Sequence, residues 1–246
     1  MTPGILAHPQ VAVVTGASRG LGATIAGFLV GQGFEVVLNA RGRSPLESLA
    51  RTLHRGTRPV HCIAGDVSDS EVRNEIKMAV ESIGRLDLLV NNASELGPSP
   101  LPALSEYPAG DLQRVFEVNV AAPLALIQAL LPSLRTYHGR IVNISSDAAI
   151  GGYPGWGGYG ASKAALDLLS LTLAHELRES GVSVVSVDPG DMRTSMHQAA
   201  YAGEDISDRP LPEVTIPFWA WLLHQEPSRI SGHRFQAQSD RWELPA

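Results

Sequence analysis

Tyr159 and Lys163 stand four residues apart in Tyr159-Gly160-Ala161-Ser162-Lys163, a spacing that puts both on one face of a helix. The pair has a chemistry. A free tyrosine has a pKa of about 10, too high for efficient proton exchange near neutrality. A neighbouring ammonium favours the phenolate and lowers that value, and an oxidised nicotinamide would add further positive charge. Tyr159 can then give a proton to a carbonyl oxygen as hydride reaches the carbon, or take one in reverse. Taken alone, Tyr-x-x-x-Lys recurs by chance, and a surface pair is its ordinary meaning. Thirteen residues upstream, however, Ser146 closes the run GRIVNISS, at the C-terminal end of a predicted strand, where open α/β sheets place their sites. A hydroxyl there can donate to the substrate oxygen and stabilise developing charge. Ser145 is the alternative, and either serine could instead serve a cap or turn.

A second constellation lies near the N-terminus. VAVVTGASRGLG, Val11 to Gly22, reads as a strand, a glycine turn and a helix start. Such a turn aims backbone N–H groups and the positive helix end at an anion, usually a pyrophosphate. Gly16 permits the tight turn, Gly20 a close approach, and Gly22 packing of the helix; Ser18, Arg19 and Leu21 complete the loop. The same residues fit G-x-S-x-G, a hydrolase elbow around Ser18, but no earlier strand can supply its second oxyanion donor. At the end of the next predicted strand, where an acid would bind a ribose hydroxyl, the chain has Asn39 and Ala40, then Arg41. With no carboxylate to repel a 2′-phosphate, and with Arg41, Arg43 and Arg19 able to pair with one, the expected cofactor is NADP(H).

These residues need a scaffold, and the rest of the chain supplies one. The 246 residues are 44% hydrophobic and 18% charged, with a formal charge of −6. That composition is globular and gives no general reason to bind nucleic acid or an anionic membrane. Cys62 is the one cysteine, which excludes an intramolecular disulfide and argues against a cysteine zinc site; no histidine spacing indicates a metal. The N-terminal decapeptide has no signal-peptide pattern, and the most apolar stretch, Val118 to Leu134, is interrupted by Asn119, Pro123, Gln128 and Pro132. A cytoplasmic protein is expected. Predicted strands fall at Val11–Thr15, Glu35–Asn39, Pro59–Ala64, Leu86–Asn91, Arg140–Ile144, Ser183–Val187 and Ile230–Ala237. Several are apolar without alternation, as in parallel strands covered on both faces. Between them lie helical patterns, with capping boxes at Ser44–Glu47 and Ser68–Glu71 and a long helix from Tyr159 to Ser180 stopped by Gly181. The expectation is a single α/β domain, residues 1–246, with a doubly wound, Rossmann-like parallel sheet of about seven strands flanked by helices on both faces, and a substrate lid around residues 191–216.

In this order and spacing the motifs resemble the short-chain dehydrogenase/reductase family: Thr15–Gly22, Asp66-Val67, Asn91-Asn92-Ala93, Asn119, Ser146, the Tyr159–Lys163 pair, and Asp188-Pro189-Gly190 with Thr194. The resemblance implies that Tyr159 is the general acid/base, that Lys163 lowers its pKa and bonds the nicotinamide ribose, that Ser146 polarises the substrate oxygen, and that Asn119 holds a water beside the lysine. It further implies that Asp66 and Val67 meet adenine, that Asn92 and Ala93 lie beside the cofactor, and that Pro189, Gly190, Met192 and Thr194 close over the nicotinamide. Two positions depart from the family pattern: Ser94 replaces the glycine of NNAG, expected to be tolerated, and the last strand lacks its following glycine pair, which weakens a tetramer inference.

For the substrate side, Tyr153 and Trp156 in GGYPGWGGYG, with Met192 and Met196 opposite, are candidate walls for an apolar or aromatic substrate, and Asp147 is placed to touch a polar group. The reading is an NADP(H)-dependent oxidoreductase acting on a small carbonyl or alcohol, in the direction of a carbonyl reductase. Its competitors are a non-catalytic nucleotide-binding regulator on the same fold and an NAD-dependent alcohol dehydrogenase. Apolar residues on the long helices (Leu124, Leu126, Ile127, Leu168, Leu169, Leu173) point to a homodimer or homotetramer.

Overall fold

The computed structural model describes residues 9–54 and 58–243. Seven strands, β1 (Val11–Thr15), β2 (Glu35–Ala40), β3 (Val60–Ala64), β4 (Leu88–Asn91), β5 (Arg140–Ile144), β6 (Ser183–Asp188) and β7 (Arg234–Gln236), form one sheet in the order β3-β2-β1-β4-β5-β6-β7. Every pairing is parallel. The order reverses between β1 and β4, and a crevice opens there at the carboxyl ends of the strands.

The non-alternating strands are explained by two cores, one on each face. Ala12 and Val14 of β1 point into one, with α1 (Gly20–Gly31); Val11 and Val13 point into the other, with α3 (Ser70–Ile83). Successive side chains of a strand face opposite ways, so both must be apolar. The first core also receives Leu46 of α2 (Arg43–Leu53). Helix α4 (Ala109–Phe116) continues through a π-helical turn, Glu117–Ala121, into α5 (Ala122–Tyr137), which packs in the second core. Among the described residues this run, Ala109–Tyr137, is the one helix long and apolar enough to cross a membrane, and 44% of its most apolar window is buried within the fold. After β5 come a single turn, α6 (Ala148–Gly151), and the long α7 (Gly157–Glu176). Residues 191–216 carry α8 (Ser195–Ala200) and a 3₁₀ turn, Pro212–Thr215, before α9 (Ile216–His224) and α10 (Pro227–Ile230).

The differences from the sequence reading are local. Neither capping box forms: α2 starts earlier, after Gly42, without a side-chain cap, and α3 is capped by Asp69, which accepts from Glu71 N at 2.9 Å. A shorter Asx reach satisfies the same orphan donors. The last strand is only three residues, because Pro227–Ile230 takes a helical turn first. Leu126 and Ile127, counted toward an oligomer face, are core residues, whereas Leu168 is 66% exposed.

Candidate active site

The turn from β1 to α1 sets one wall. Gly16 and Gly20 have positive φ, 64° and 54°, a region costly for residues with a Cβ. A Cβ on Gly16 would also stand 2.8 Å from Ala93 Cα and from the Asn92 amide. One on Gly22 would collide with the Gly16 carbonyl, so this glycine serves packing between turn and helix. The ends of β1 and β4 are stitched by Thr15, whose Oγ1 accepts from the backbone N of Asn92 and Ala93, both at 3.0 Å.

Seventeen of the eighteen residues expected at the cofactor line one cleft of about 360 Å³: Gly16, Ser18, Arg19, Gly20, Leu21, Gly22, Asn39, Arg41, Asp66, Val67, Asn92, Ala93, Tyr159, Lys163, Pro189, Met192 and Thr194. Gly190 faces an adjoining cavity instead. Several of these do their work through the backbone. The Asn39 amide donates to Ile63 O and Gly65 O at 3.0 and 3.1 Å, and the Asn92 amide to Thr15 O and Gly16 O at 2.9 and 3.1 Å. Partial burial pushes the Asp66 carboxyl up, but hydrogen bonds from Ser68 and the Arg114 guanidinium outweigh that and hold it below the usual carboxylate range. Arg114, which the sequence did not single out, braces this corner from α4. Arg41 pairs with Glu95 at 3.2 Å, and Arg43 turns to Glu47 at 3.8 Å, outside the cleft.

The Tyr159–Lys163 helix face also meets this cleft. Lys163 is 1% exposed and donates from Nζ to Ile144 O at 2.8 Å, with Nζ 5.5 Å from the Tyr159 ring centroid. Burial depresses Lys163 to about 8, with Asp167 opposing. Tyr159 moves opposite to the sequence expectation: burial pushes it up to about 12, hydrogen bonds with Ser94 and Ser146 pull it down, and the charges of Asp188 and Asp147 push it up. Desolvation of the phenolate is the largest of these effects.

The Asn119 side chain takes a hydrogen-bonded place in the core. It is fully buried in the π turn. Its Nδ2 donates to Glu95 O and Ser162 Oγ, both at 2.9 Å, and its Oδ1 accepts from Glu95 N at 2.7 Å and Ser94 Oγ at 3.2 Å. Two donor and two acceptor positions of the side-chain amide are thereby used. Ser162 Oγ in turn donates to Tyr159 O at 2.6 Å, so Asn119 ties the 94–95 loop to the tyrosine helix. Ser94 is therefore more than a tolerated change, since its hydroxyl meets both Asn119 and Tyr159.

The adjoining cavity, about 340 Å³, is lined by Ser146, Tyr159 and all four of the other expected substrate residues, Tyr153, Trp156, Met192 and Met196, with Asp147, Asp188, Asp191, His197 and Tyr201. Ser146 Oγ donates to Asp147 Oδ1 at 3.0 Å and accepts from Ala148 N at 3.1 Å. Sequence reasoning missed Arg234 of β7. Its guanidinium donates to Ser146 O at 2.7 Å, to Asp167 at 3.0 Å and to Asp188 at 3.3 Å, joining the serine strand, the lysine helix and the end of β6. No local motif marks it, because those partners lie 88, 67 and 46 residues away. Ser18 lines the first cavity and His197 the second, an arrangement that gives no support to a hydrolase at Ser18.

The profile of the family described as short chain dehydrogenase matches residues 10–205. The chain belongs to the short-chain dehydrogenase family. An uncharacterized oxidoreductase of Staphylococcus epidermidis is 33% identical to this dehydrogenase over 197 residues, 79% of this chain and 83% of the relative. A short chain dehydrogenase from Pseudomonas syringae superposes with a TM-score of 0.87 at 35% identity, covering 93% of this chain and 94% of its own. One from Shigella flexneri, solved in complex with NADP, gives 0.86 at 31%, covering 94% and 97%.

Proposed function

We propose that this short-chain dehydrogenase is an NADP(H)-dependent carbonyl reductase, with Tyr159 as general acid, Ser146 polarising the carbonyl and Lys163 as the buried cation behind the tyrosine. The observation that carries this reading is that Tyr159 lines both cavities and its hydroxyl hydrogen-bonds with Ser94 of the first and Ser146 of the second. The cleft fits the dinucleotide: it offers a glycine turn at a helix N-terminus, no acid at the end of β2, and Arg19 and Arg41 on its wall. The Shigella structure with NADP supports the same choice.

When bound, NADPH supplies the hydride. The chain's own residues handle the oxygen. Ser146 Oγ turns from Asp147 to donate to the carbonyl, and Tyr159 delivers its proton as the C–O π bond breaks. A phenol pushed up to about 12 is protonated at neutral pH, so it holds the proton that a carbonyl oxygen must receive, although this lies further from the operating pH than a free tyrosine. Lys163, fixed by Ile144 O, holds positive charge behind the phenol as the proton departs. Tyr159→Phe should abolish NADPH oxidation at 340 nm across a panel of ketones and aldehydes while leaving NADPH affinity within a few-fold. Retained turnover would remove Tyr159 from its role, and equal or better use of NADH would remove the NADP(H) assignment.

A further inference from the structure

The charge of the second cavity does not match its neighbour. The dinucleotide cleft carries Arg19, Arg41 and Lys163 against one acid, Asp66, which Arg114 answers. The substrate cavity carries Asp147, Asp188 and Asp191, and among the described residues no lysine or arginine lines it. The three carboxylates differ in how they are answered. Asp188 is buried against the Arg234 guanidinium at 3.3 Å. Asp191 has His197 Nδ1 at 3.8 Å and Arg209 Nε at 3.7 Å. Asp147 has no ion pair among the described residues; it is met by the Ser146 hydroxyl and by the Tyr153 phenol, whose pKa is raised by its hydrogen bond to Asp147 and then by the Asp147 charge. A half-buried carboxylate beside the reacting atoms, answered only by hydroxyls, is an acceptor in want of a cation. The surrounding wall is aromatic: Trp156 stands 5.8 Å from Tyr159 and 6.2 Å from Tyr201, centroid to centroid, and His197 4.8 Å from Tyr201. Aromatic faces attract cations as well as rings.

We infer that the substrate is an aromatic carbonyl compound carrying a cationic nitrogen a few bonds from the carbonyl, an amino ketone or a protonated nitrogen heterocycle, with that nitrogen on Asp147. The inference rests on the reductase reading above and names its substrate class. Ser146 Oγ and Asp147 Oδ1 are 3.0 Å apart, so a carbonyl oxygen on the first and an N–H donor on the second are neighbours in one molecule. The nitrogen also replaces the Ser146 hydroxyl as donor to Asp147, which frees that hydroxyl for the carbonyl. The reaction balances as for any ketone. Hydride from NADPH forms the new C–H bond, the Tyr159 proton forms the O–H bond, solvent returns a proton to Tyr159, and NADP and an amino alcohol leave. The same electrostatics disfavours a carboxylate substrate.

Three ketones of nearly one shape test this: aminomethyl, ethyl and carboxymethyl phenyl ketone, at slightly acid pH where the amine is protonated. For NADPH oxidation by the wild-type enzyme, kcat/KM should rank ammonium over ethyl over carboxylate, with about tenfold or more at the first step, as expected for a hydrogen bond to a charged group. Asp147→Asn should bring the ammonium and ethyl compounds within a few-fold of each other. Ethyl ketone binding by the variant shows that its cavity is intact; should the variant not fold, the wild-type ranking decides alone. Calorimetric binding of the same three compounds separates the two readings. Ranked binding without reduction refutes the reductase and keeps the charge selection. Reduction without the ranking, no binding of any compound, or a variant that retains the preference overturns the inference.

Discussion

Replacing Lys163 with methionine isolates the cost of the buried ammonium. The folded chain holds Lys163 at about 8 against an ordinary 10.5, which at 1.36 kcal/mol per pKa unit is about 3 kcal/mol. The sign follows from where the proton sits. Between pH 8 and 10.5 the unfolded chain binds the proton and the folded one does not, so wild-type stability gains as pH rises through that window. Below pH 8 both states are charged and the folded one bears the whole desolvation cost. Lys163→Met bears none of it, but leaves Ile144 O without its 2.8 Å donor, a loss of about 1–3 kcal/mol. At neutral pH the two offset, so the variant should be close to wild type in stability while losing turnover. Between pH 7 and 10.5 the wild type should gain about 3 kcal/mol on the variant, roughly 6–12 °C in Tm for a domain of this size. Paired urea or thermal unfolding series across that range measure the gap, and titrations common to both proteins cancel. A gap that does not move with pH would show that Lys163 keeps its ordinary proton affinity, and the depressed value would be wrong.

Other consequences are open to simpler assays. Arg41→Ala should weaken NADPH about tenfold or more with NADH unchanged, as expected for the loss of one charge-assisted phosphate contact; Glu95→Gln, which frees Arg41 from its ion pair, should tighten NADPH a few-fold, both read by fluorescence titration. Because Tyr159 is held protonated to about 12, kcat for carbonyl reduction should stay level through neutrality, whereas alcohol oxidation, which needs the phenolate, should rise with pH; a fall in oxidation rate above neutrality contradicts this. Arg234→Met strands Asp188, buried with its carboxyl already raised by desolvation, and should cost about 3 kcal/mol of stability together with kcat, as read by urea unfolding and NADPH oxidation.

The strands and their parallel order were legible because VAVV, VVL and VVSV face apolar cores on both sides, which alternation would forbid. The glycine turn and the Tyr159–Lys163 face were legible because each is set within one short segment. The capping residues were not, since Asp69 and Ser68 are both good caps and only the backbone geometry chooses between them. The raised tyrosine was hidden because spacing reports the lysine four residues away but not the burial around it. The acidic cavity was hidden for a related reason: Asp147, Asp188 and Asp191 come from two strand ends, and Arg234 answers one of them from a third. The NNAS departure marked Ser94, but its partner Asn119 meets it only through the fold.

The wide turn at Glu117–Ala121 amounts to one residue too many for a regular helix. Deleting a single residue there would let α4 and α5 fuse into an ordinary rod, and would draw Asn119 out of its place in the turn. The 94–95 loop would then lose its anchor to the tyrosine helix although every residue named in the chemistry was still present. A substitution scan would pass over such a dependence, because what matters at this point of the chain is the number of residues and not only their kind.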